Sequence, residues 1–278
     1  MHRKPLLLSI FLGIGLVPVV SAAQGVNLTS GFTDFTTWNL YGSATASNFT
    51  PGNGFTYSEL RLTYPGVAGS AGAGFAPDSL TLDFNQAFSF DFNFFIPAGT
   101  VLRGDGMTFT LTDTPGLGGA GSGLGYEGFT GASIAFAIDT FHFEGEPVSP
   151  SLQILQSGST TPLAYTETGL GDDVRDAAWQ WRATVDFTPS GNDDEMGTLT
   201  GSITRPDFGT FSVSANVNLS GLGHTVYYGF TASNGLADDG HFVTSAVPVP
   251  EPETWAMLLA GLGLVGVSTR RARHDILK

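Results

Sequence analysis

Asp105 is the residue of this sequence best suited to hold a polar ligand. It lies in the segment Gly104-Asp-Gly106. An ionised carboxylate only accepts hydrogen bonds, so it can take two charge-assisted bonds from neighbouring hydroxyl groups. The flanking glycines equally suit a tight turn that Asp105 would cap. The residue type alone leaves both interpretations open.

A second acidic segment, Ala237-Asp-Asp-Gly-His241, places two carboxylates beside an imidazole. Such a set could bind a metal ion or transfer protons. Adjacent acidic residues next to glycine are more often solvated loop residues, however. We therefore predict a solvated loop here and no chemistry for His241.

The stretch from Pro115 to Gly131 contains eight glycines. It lacks the Gly-Lys-Ser/Thr ending of a phosphate-binding loop and does not begin a helix, which argues against a nucleotide site. It could be a mobile surface loop. Tyr126 within it could stack on the apolar face of a ligand or belong to the core at the start of a strand.

Charge and composition exclude several classes of protein. The 278 residues carry a net charge of −14, and between residues 24 and 253 there are five arginines, no lysine and 24 acidic residues. Nucleic-acid binding depends on Lys and Arg, so nucleic acid is not a predicted partner. The chain has no Cys, which excludes a disulfide scaffold, a thiolate zinc site and a cysteine nucleophile.

Apolar residues between Gln24 and Ala246 alternate with a period of two, which is typical of strands. Turn-forming residues separate the alternating segments, and no helical periodicity is visible. The pattern predicts an all-β antiparallel sandwich of at least eight strands in one domain, residues 24–246. The predicted strands are Leu60–Tyr64, Leu80–Phe84, Phe88–Phe94, Met107–Leu111, Ile134–Ile138, Trp179–Phe187, Phe211–Val217 and Val226–Phe230.

Residues 1–23 have the features of a signal peptide: a basic start, an apolar helix-forming run from Leu6 to Val20, and small residues before Gln24. A membrane anchor is the alternative. The apolar run is short for a spanning helix, which needs about 20 residues, and Pro18 interrupts it. The sequence therefore predicts export.

The other end, residues 247–278, combines a Pro-rich spacer, a short hydrophobic helix from Thr254 to Ser268, and a basic end that includes Arg270 and Arg271. Basic residues after an apolar span remain on the cytoplasmic side of a membrane. With Pro250-Glu251-Pro252 this segment resembles the PEP-CTERM sorting tail of Gram-negative, exopolysaccharide-producing bacteria. A permanent membrane anchor is the alternative.

That resemblance implies a route for the protein. The tail would anchor the chain transiently in the inner membrane, the only membrane contact expected. The enzyme exosortase would then cut near Pro250-Glu251-Pro252. The product would reach the cell surface or the extracellular matrix.

Six motifs in order make the body resemble an L-type (legume-type) lectin domain. The resemblance covers nearly all of residues 24–246 and implies a concanavalin-like jelly roll, with a sugar site on loops at the edge of the concave face. The motifs are Ala68–Ser70, Ala87–Phe95, Gly104–Phe109, Gly123–Tyr126, Ile138–Phe141 and Tyr228–Ser233.

The resemblance also implies roles for individual residues. In that family the Asp of the Asp-Gly motif accepts hydrogen bonds from two sugar hydroxyls, and the glycine loop lets a backbone N–H approach the sugar. The candidate carbohydrate-binding residues are therefore Asp105, Gly106, Gly123, Gly125, Tyr126, Ala237 and Asp238.

The metal-binding pattern of the family is incomplete here. Its Glu-x-Asp-x-Phe/Tyr-x-Asn strand, which holds a transition metal and calcium, appears as Ala137, Asp139, Phe141 and Phe143. The lost Glu argues against a transition metal, and Phe143 cannot donate the hydrogen bond of the Asn. Asp139, the Phe141 carbonyl and Glu144, with Glu146 nearby, could still form a remodelled calcium site, which takes about six to eight oxygen ligands. Alternatively, Asp139 is a buried residue bonded to a loop.

We predict an exported carbohydrate-binding protein whose partner is a glycan, such as an exopolysaccharide. The alternative is a structural matrix protein that keeps the fold without a sugar site. An enzyme is not predicted, because a glycoside hydrolase needs two carboxylates about 5–10 Å apart. Endoglucanases that resemble this family place Glu-x-Asp-x-x-Glu on one strand, and here Ala137 and His142 occupy the positions of the two Glu residues. Gly145 favours a loop between Glu144 and Glu146.

Overall fold

The computed structural model describes residues 26–27, 32, 34–50, 56–99, 102–175 and 180–245. Residues 1–23 and 247–278 lie outside this part, so the signal helix and the C-terminal helix stay predictions. Within it, the helices are 3₁₀ turns of three or four residues. None of the helices in the described ranges is long and apolar enough to cross a membrane.

The strands, numbered β1 to β16 along the chain, form two sheets. In the first, here called the back sheet, seven strands follow one another antiparallel, and a short β1 pairs parallel to β7. Their order across the sheet is β14 (Gly209–Asn218), β13 (Met196–Arg205), β12 (Trp181–Pro189), β7 (Phe88–Phe95), β16 (His241–Thr244), β4 (Tyr57–Thr63) and β3 (Thr45–Phe49), with β1 at Val26–Asn27.

The second, here called the front sheet, also has seven antiparallel strands in sequence, and β6 pairs with one end of β15. The order is β11 (Ala164–Glu167), β10 (Ser151–Gln156), β9 (Ser133–Asp139), β8 (Gly106–Thr112), β15 (Thr225–Ser233), β5 (Ala71–Phe75) and β2 (Asn39–Gly42), with β6 at Leu80–Thr81. The predicted all-β sandwich is confirmed. Each of the eight predicted strands overlaps an observed one, although the strand expected over 80–84 is only Leu80–Thr81.

The core between the sheets is built mainly from phenylalanine. Alternation along β7 turns four rings, including Phe90 and Phe92, toward the front sheet, and all four are buried. Phe90 meets Phe109 of β8, and Phe92 meets Phe230 of β15, each with ring centroids 4.7 Å apart. Burying one Phe contributes about 1.5–3 kcal/mol, so this cluster is a main source of stability in a chain without disulfides.

The glycine-rich segment 113–132 covers the opposite face of the front sheet. Leu124, Tyr126 and Phe129 from this segment form a second apolar cluster with small and apolar residues of the sheet, Ala73, Phe75, Ala135, Ala137 and Leu155. Residues 123–126 and Phe129 of the segment are therefore buried against the sheet, while its two ends are partly or fully exposed.

The candidate residues come together where three neighbouring strands of the front sheet begin or end. Here Gly106, the first residue of β8, pairs with Asp139 at the end of β9 and with Ser233 at the end of β15. Strand β16 of the back sheet begins nearby, after the loop that follows β15. The segments before β8, after β9 and after β15 thus converge on one place.

Candidate functional site

An open pocket of about 260 Å³ lies where these segments converge. One wall is Asp105, and a second is formed by Gly121 and Ser122 of the glycine-rich segment. Phe141 and Phe143, after β9, and residues 235–237, after β15, complete the lining. Of the candidate carbohydrate-binding residues, the structure places Asp105 and Ala237 in the lining.

Asp105 is held in the pocket by backbone hydrogen bonds on both sides. Its carboxylate accepts a bond from the Gly235 N–H, and its carbonyl accepts one from Thr140 N at 2.9 Å. Gly106 follows it with φ of +140°, and a Cβ there would collide with the Ile138 carbonyl, so only glycine fits. Gly106 thus positions Asp105 without lining the pocket.

Asp105 is only 6% exposed, and this burial makes its carboxyl group a weaker acid. Loss of solvent raises the pKa of its carboxyl to about 6, and the charges of Glu146 and Asp239 add to the rise, while the Gly235 N–H opposes it. The carboxylate is therefore mostly ionised at neutral pH and mostly protonated at pH 5.

The glycine-rich segment contributes to the pocket through Gly121 and Ser122 rather than through Gly123 and Gly125. Gly123 is a turn residue whose carbonyl accepts bonds from Tyr126 N and Glu127 N, both at 2.8 Å. Gly125 has φ of +66° and packs against the backbone of Ala232. These two glycines shape the segment, and their neighbours line the pocket.

Tyr126 lies in the core. It is fully buried, its hydroxyl is 2.9 Å from the Ser133 hydroxyl, and its ring stacks on Phe129. The ring has no exposed face, which corrects the prediction that Tyr126 could stack on a ligand. The alternative, a core residue, is the one observed.

The segment 237–241 is buried, which corrects the prediction of a solvated loop. Asp238 lies outside the pocket lining, and its carbonyl accepts a bond from Gly66 N at 3.0 Å. His241 begins β16 and is fully buried, with Nδ1 2.7 Å from the Thr63 hydroxyl. Burial lowers its pKa to about 3, so the imidazole is neutral.

Asp239 links the segments around the pocket, a role that the sequence did not reveal. It is fully buried and pairs with Arg175 at 2.7 Å. Its carboxylate also accepts bonds from Gly99 N at 2.9 Å and Gly104 N at 2.7 Å. The bond from Gly104 N therefore ties the segment that carries Asp105 to the segment that carries Gly235, and the ion pair adds Arg175 to this link.

The described residues do not fit a calcium ion at Asp139. Its carboxylate accepts bonds from Ser149 Oγ at 3.0 Å, Phe141 N at 3.1 Å and Gln153 Nε2 at 2.7 Å. The Phe141 carbonyl accepts a bond from Ser149 as well, and Glu144 is exposed in a turn. In the described ranges no group of three His, Cys, Asp or Glu residues could hold a metal.

Asp139 has instead the environment of a buried acid bonded to a loop. Burial and the charge of Glu146 raise its pKa to about 7, although its three donors oppose the rise. Protein donors rather than a cation thus satisfy the oxygens predicted as metal ligands.

We expect EDTA to leave the melting temperature of the protein unchanged within about 1 °C, because only a ligand that binds the folded state stabilises it. Differential scanning calorimetry with and without EDTA measures this. A fall in EDTA that calcium reverses would contradict the fit described for Asp139.

Comparison with known proteins bears on the two parts of the chain separately. Residues 248–273 match the PEP-CTERM protein-sorting motif. No curated protein sequence matches the chain. The body is similar to solved legume lectins, three of which are lectin I-B4 from Griffonia simplicifolia in its metal-free form, basic winged bean lectin with Tn-antigen, and arcelin-5, a lectin-like defence protein from Phaseolus vulgaris.

The Griffonia lectin is 19% identical with a TM-score of 0.58 over 75% of this chain and 92% of that chain. The winged bean lectin is 19% identical with a TM-score of 0.58 over 77% and 96%. Arcelin-5 is 20% identical with a TM-score of 0.57 over 77% and 92%. Likeness at this identity shows the fold. Residues 248–273 thus carry a PEP-CTERM sorting motif, and the body of the chain has the concanavalin-like fold of the legume lectins.

Proposed function

We propose that the protein is an exported, non-catalytic carbohydrate-binding protein whose glycan ligand occupies the Asp105 pocket. The supporting observation is that a carboxylate acceptor and the aromatic residues Phe141 and Phe143 line one open pocket. The carboxylate suits two adjacent sugar hydroxyls, and ligand pockets combine apolar walls with a few polar groups that fix orientation. The producer's own exopolysaccharide is a suitable glycan, and the proposal needs no metal.

The absence of catalysis is part of this proposal. Glu144 lies in a turn, and Glu146 accepts a bond from Phe143 N at 2.9 Å. The two acids therefore sit in the predicted loop, where they do not form the strand-borne acid pair of related hydrolases.

A structural matrix protein remains the second candidate, and the pocket's chemistry is the observation that favours it. Asp105 and Ser122 are its polar side chains, and Phe143 stands where the lectin pattern has an amide donor. A protein that keeps the lectin fold but no longer binds a sugar would also lose hydrogen-bond donors such as this amide.

The pKa of Asp105 predicts that glycan binding weakens in acid. With a pKa of about 6, roughly nine in ten free sites are protonated at pH 5 and few at pH 7.5. The ionised form accepts the sugar hydroxyls, so we expect about tenfold weaker retention on glycan-coated beads at pH 5.

The melting temperature at each pH is the control for this measurement. Asp105 and Asp139 have folded-state pKa values above their unfolded ones, so they favour folding as the pH falls toward 4, whereas His241 opposes it. Retention that is equal at both pH values, with the protein folded, would argue against Asp105 as the acceptor.

The sorting motif supports a proposal for localisation. We infer that a signal peptide at residues 1–23 directs export, that residues 247–278 anchor the chain transiently in the inner membrane, and that exosortase releases it to the cell surface or matrix of a Gram-negative bacterium. The match at residues 248–273 supports this route.

Replacing Pro250-Glu251-Pro252 with three alanines is expected to leave the protein in the membrane fraction, because the uncut tail keeps its apolar span and arginines. Cell fractionation and immunoblotting measure the distribution. The control replaces Pro248 with alanine outside the Pro-Glu-Pro core. Normal release of the triple variant would refute processing at this motif.

A further inference from the structure

We propose that the Asp105 pocket selects sugar units that carry a methyl group, either the methyl of a 6-deoxyhexose or that of an acetyl substituent. This inference rests on the proposed function and names its ligand class. It follows from an imbalance in the pocket: one carboxylate and one hydroxyl face three large apolar side chains, Phe141, Phe143 and Leu236.

Two of these apolar side chains are unusually exposed for their type. Phe143 is 59% exposed and Leu236 is 95% exposed. Single exposed apolar residues are common, but these two belong to one concave pocket that Phe141 extends. Apolar and aromatic side chains that line one pocket beside a few polar groups are typical of a ligand site.

Hydrogen bonds hold the backbone that carries these apolar side chains, here called the apolar wall, close to Asp105. Phe143 N donates to Glu146, and Phe141 N donates to Asp139. Leu236 directly follows Gly235, whose N–H bonds to the Asp105 carboxylate. A sugar bound to Asp105 by two hydroxyls must therefore present another part of its ring to the apolar wall.

The wall discriminates between substituents by desolvation. A sugar hydroxyl pressed against Phe143 or Leu236 loses its water without gaining a partner, which is costly. A methyl group at the same place gains favourable burial. Such a difference changes affinity by roughly 10- to 200-fold per group, so we expect a preference of at least about tenfold for the methyl-bearing sugar.

Matched pairs of methyl glycosides test the inference by isothermal titration of the purified full-length protein. L-Fucose against L-galactose and L-rhamnose against L-mannose isolate the 6-deoxy methyl. N-Acetylglucosamine against N-formylglucosamine and N-acetylgalactosamine against N-formylgalactosamine isolate the methyl of the acetyl group. We expect a preference of about tenfold in at least one pair, and the pair that shows it identifies the source of the methyl.

Two variants test whether the wall is responsible. Phe143→Asn and Leu236→Ser are expected to reduce the preference to about threefold or less, since each replaces burial of a methyl by a polar contact. Phe49→Asn and Leu163→Ser make the same changes at exposed residues outside the pocket lining and should keep the preference. Melting temperatures confirm that all four variants fold.

The outcomes separate this inference from the proposed function. Equal affinity within every pair would overturn the inference while glycan binding stands. A preference that survives both pocket variants would overturn it as well. Failure to bind any of the sugars, and any glycan on a broad array, would overturn the proposed function together with the inference.

Discussion

Replacing Arg175 with methionine is expected to lower the free energy of unfolding by about 3–5 kcal/mol, the largest effect on stability that we predict. The substitution leaves the Asp239 carboxylate fully buried without its cation. For a domain of this size the melting temperature should fall by roughly 6–20 °C. Scanning calorimetry measures the shift, and glycan retention should weaken too because Asp239 also binds Gly104 N next to Asp105.

Asp172→Asn is the matched control. Asp172 lies at the protein surface, and its Oδ1 is 3.6 Å from Nη1 of the same arginine. Its side chain is 73% exposed. Exposed ion pairs contribute about 0–1 kcal/mol, so this variant should melt close to the wild type. Equal shifts for the two variants would contradict the role assigned to the Arg175–Asp239 pair.

Replacing Asp105 with asparagine is expected to have the largest effect on binding. Asparagine keeps one acceptor for the Gly235 N–H but loses the charge that strengthens the bonds to sugar hydroxyls. A hydrogen bond to a charged group is worth about 1.5–3 kcal/mol, so glycan retention should fall roughly tenfold or more. The melting temperature should not fall, because the variant no longer buries a charge.

Asp113→Asn provides the control for this substitution. The Asp113 carboxylate accepts a bond from Ala132 N at 3.2 Å at the base of the glycine-rich segment and lies outside the pocket lining. It should retain glycan as the wild type does. If Asp105→Asn binds normally, Asp105 is only the turn cap that its sequence also suggests.

The fold was predictable where apolar alternation is strong, and strands without it were missed. Strand β13 turns Gly197 and Gly201 toward the core, and a Cβ at Gly201 would collide with the Phe136 ring of the front sheet. The missing side chains hide the period of two. Strand β5, Ala71–Phe75, consists mostly of Ala and Gly and is hidden for the same reason.

Only the site residues that belong to local sequence motifs were predictable. Asp105 and Ala237 were found from motifs, whereas Leu236 and Ser122 enter the pocket through loop geometry that no local pattern encodes. Asp239 looked solvated because its neighbours in sequence are polar. Its partner, Arg175, is 64 residues away, and a contact between such distant residues cannot be inferred from either segment alone.

The central claim, glycan binding at the Asp105 pocket, is tested most directly by a glycan-array screen of the purified full-length protein and its Asp105→Asn variant, each with calcium and then with EDTA. We predict that the wild type binds a defined glycan in both conditions and that the variant binds it at least about tenfold more weakly. A blank array in both conditions, or equal binding by the variant, would contradict the claim and favour a structural matrix protein.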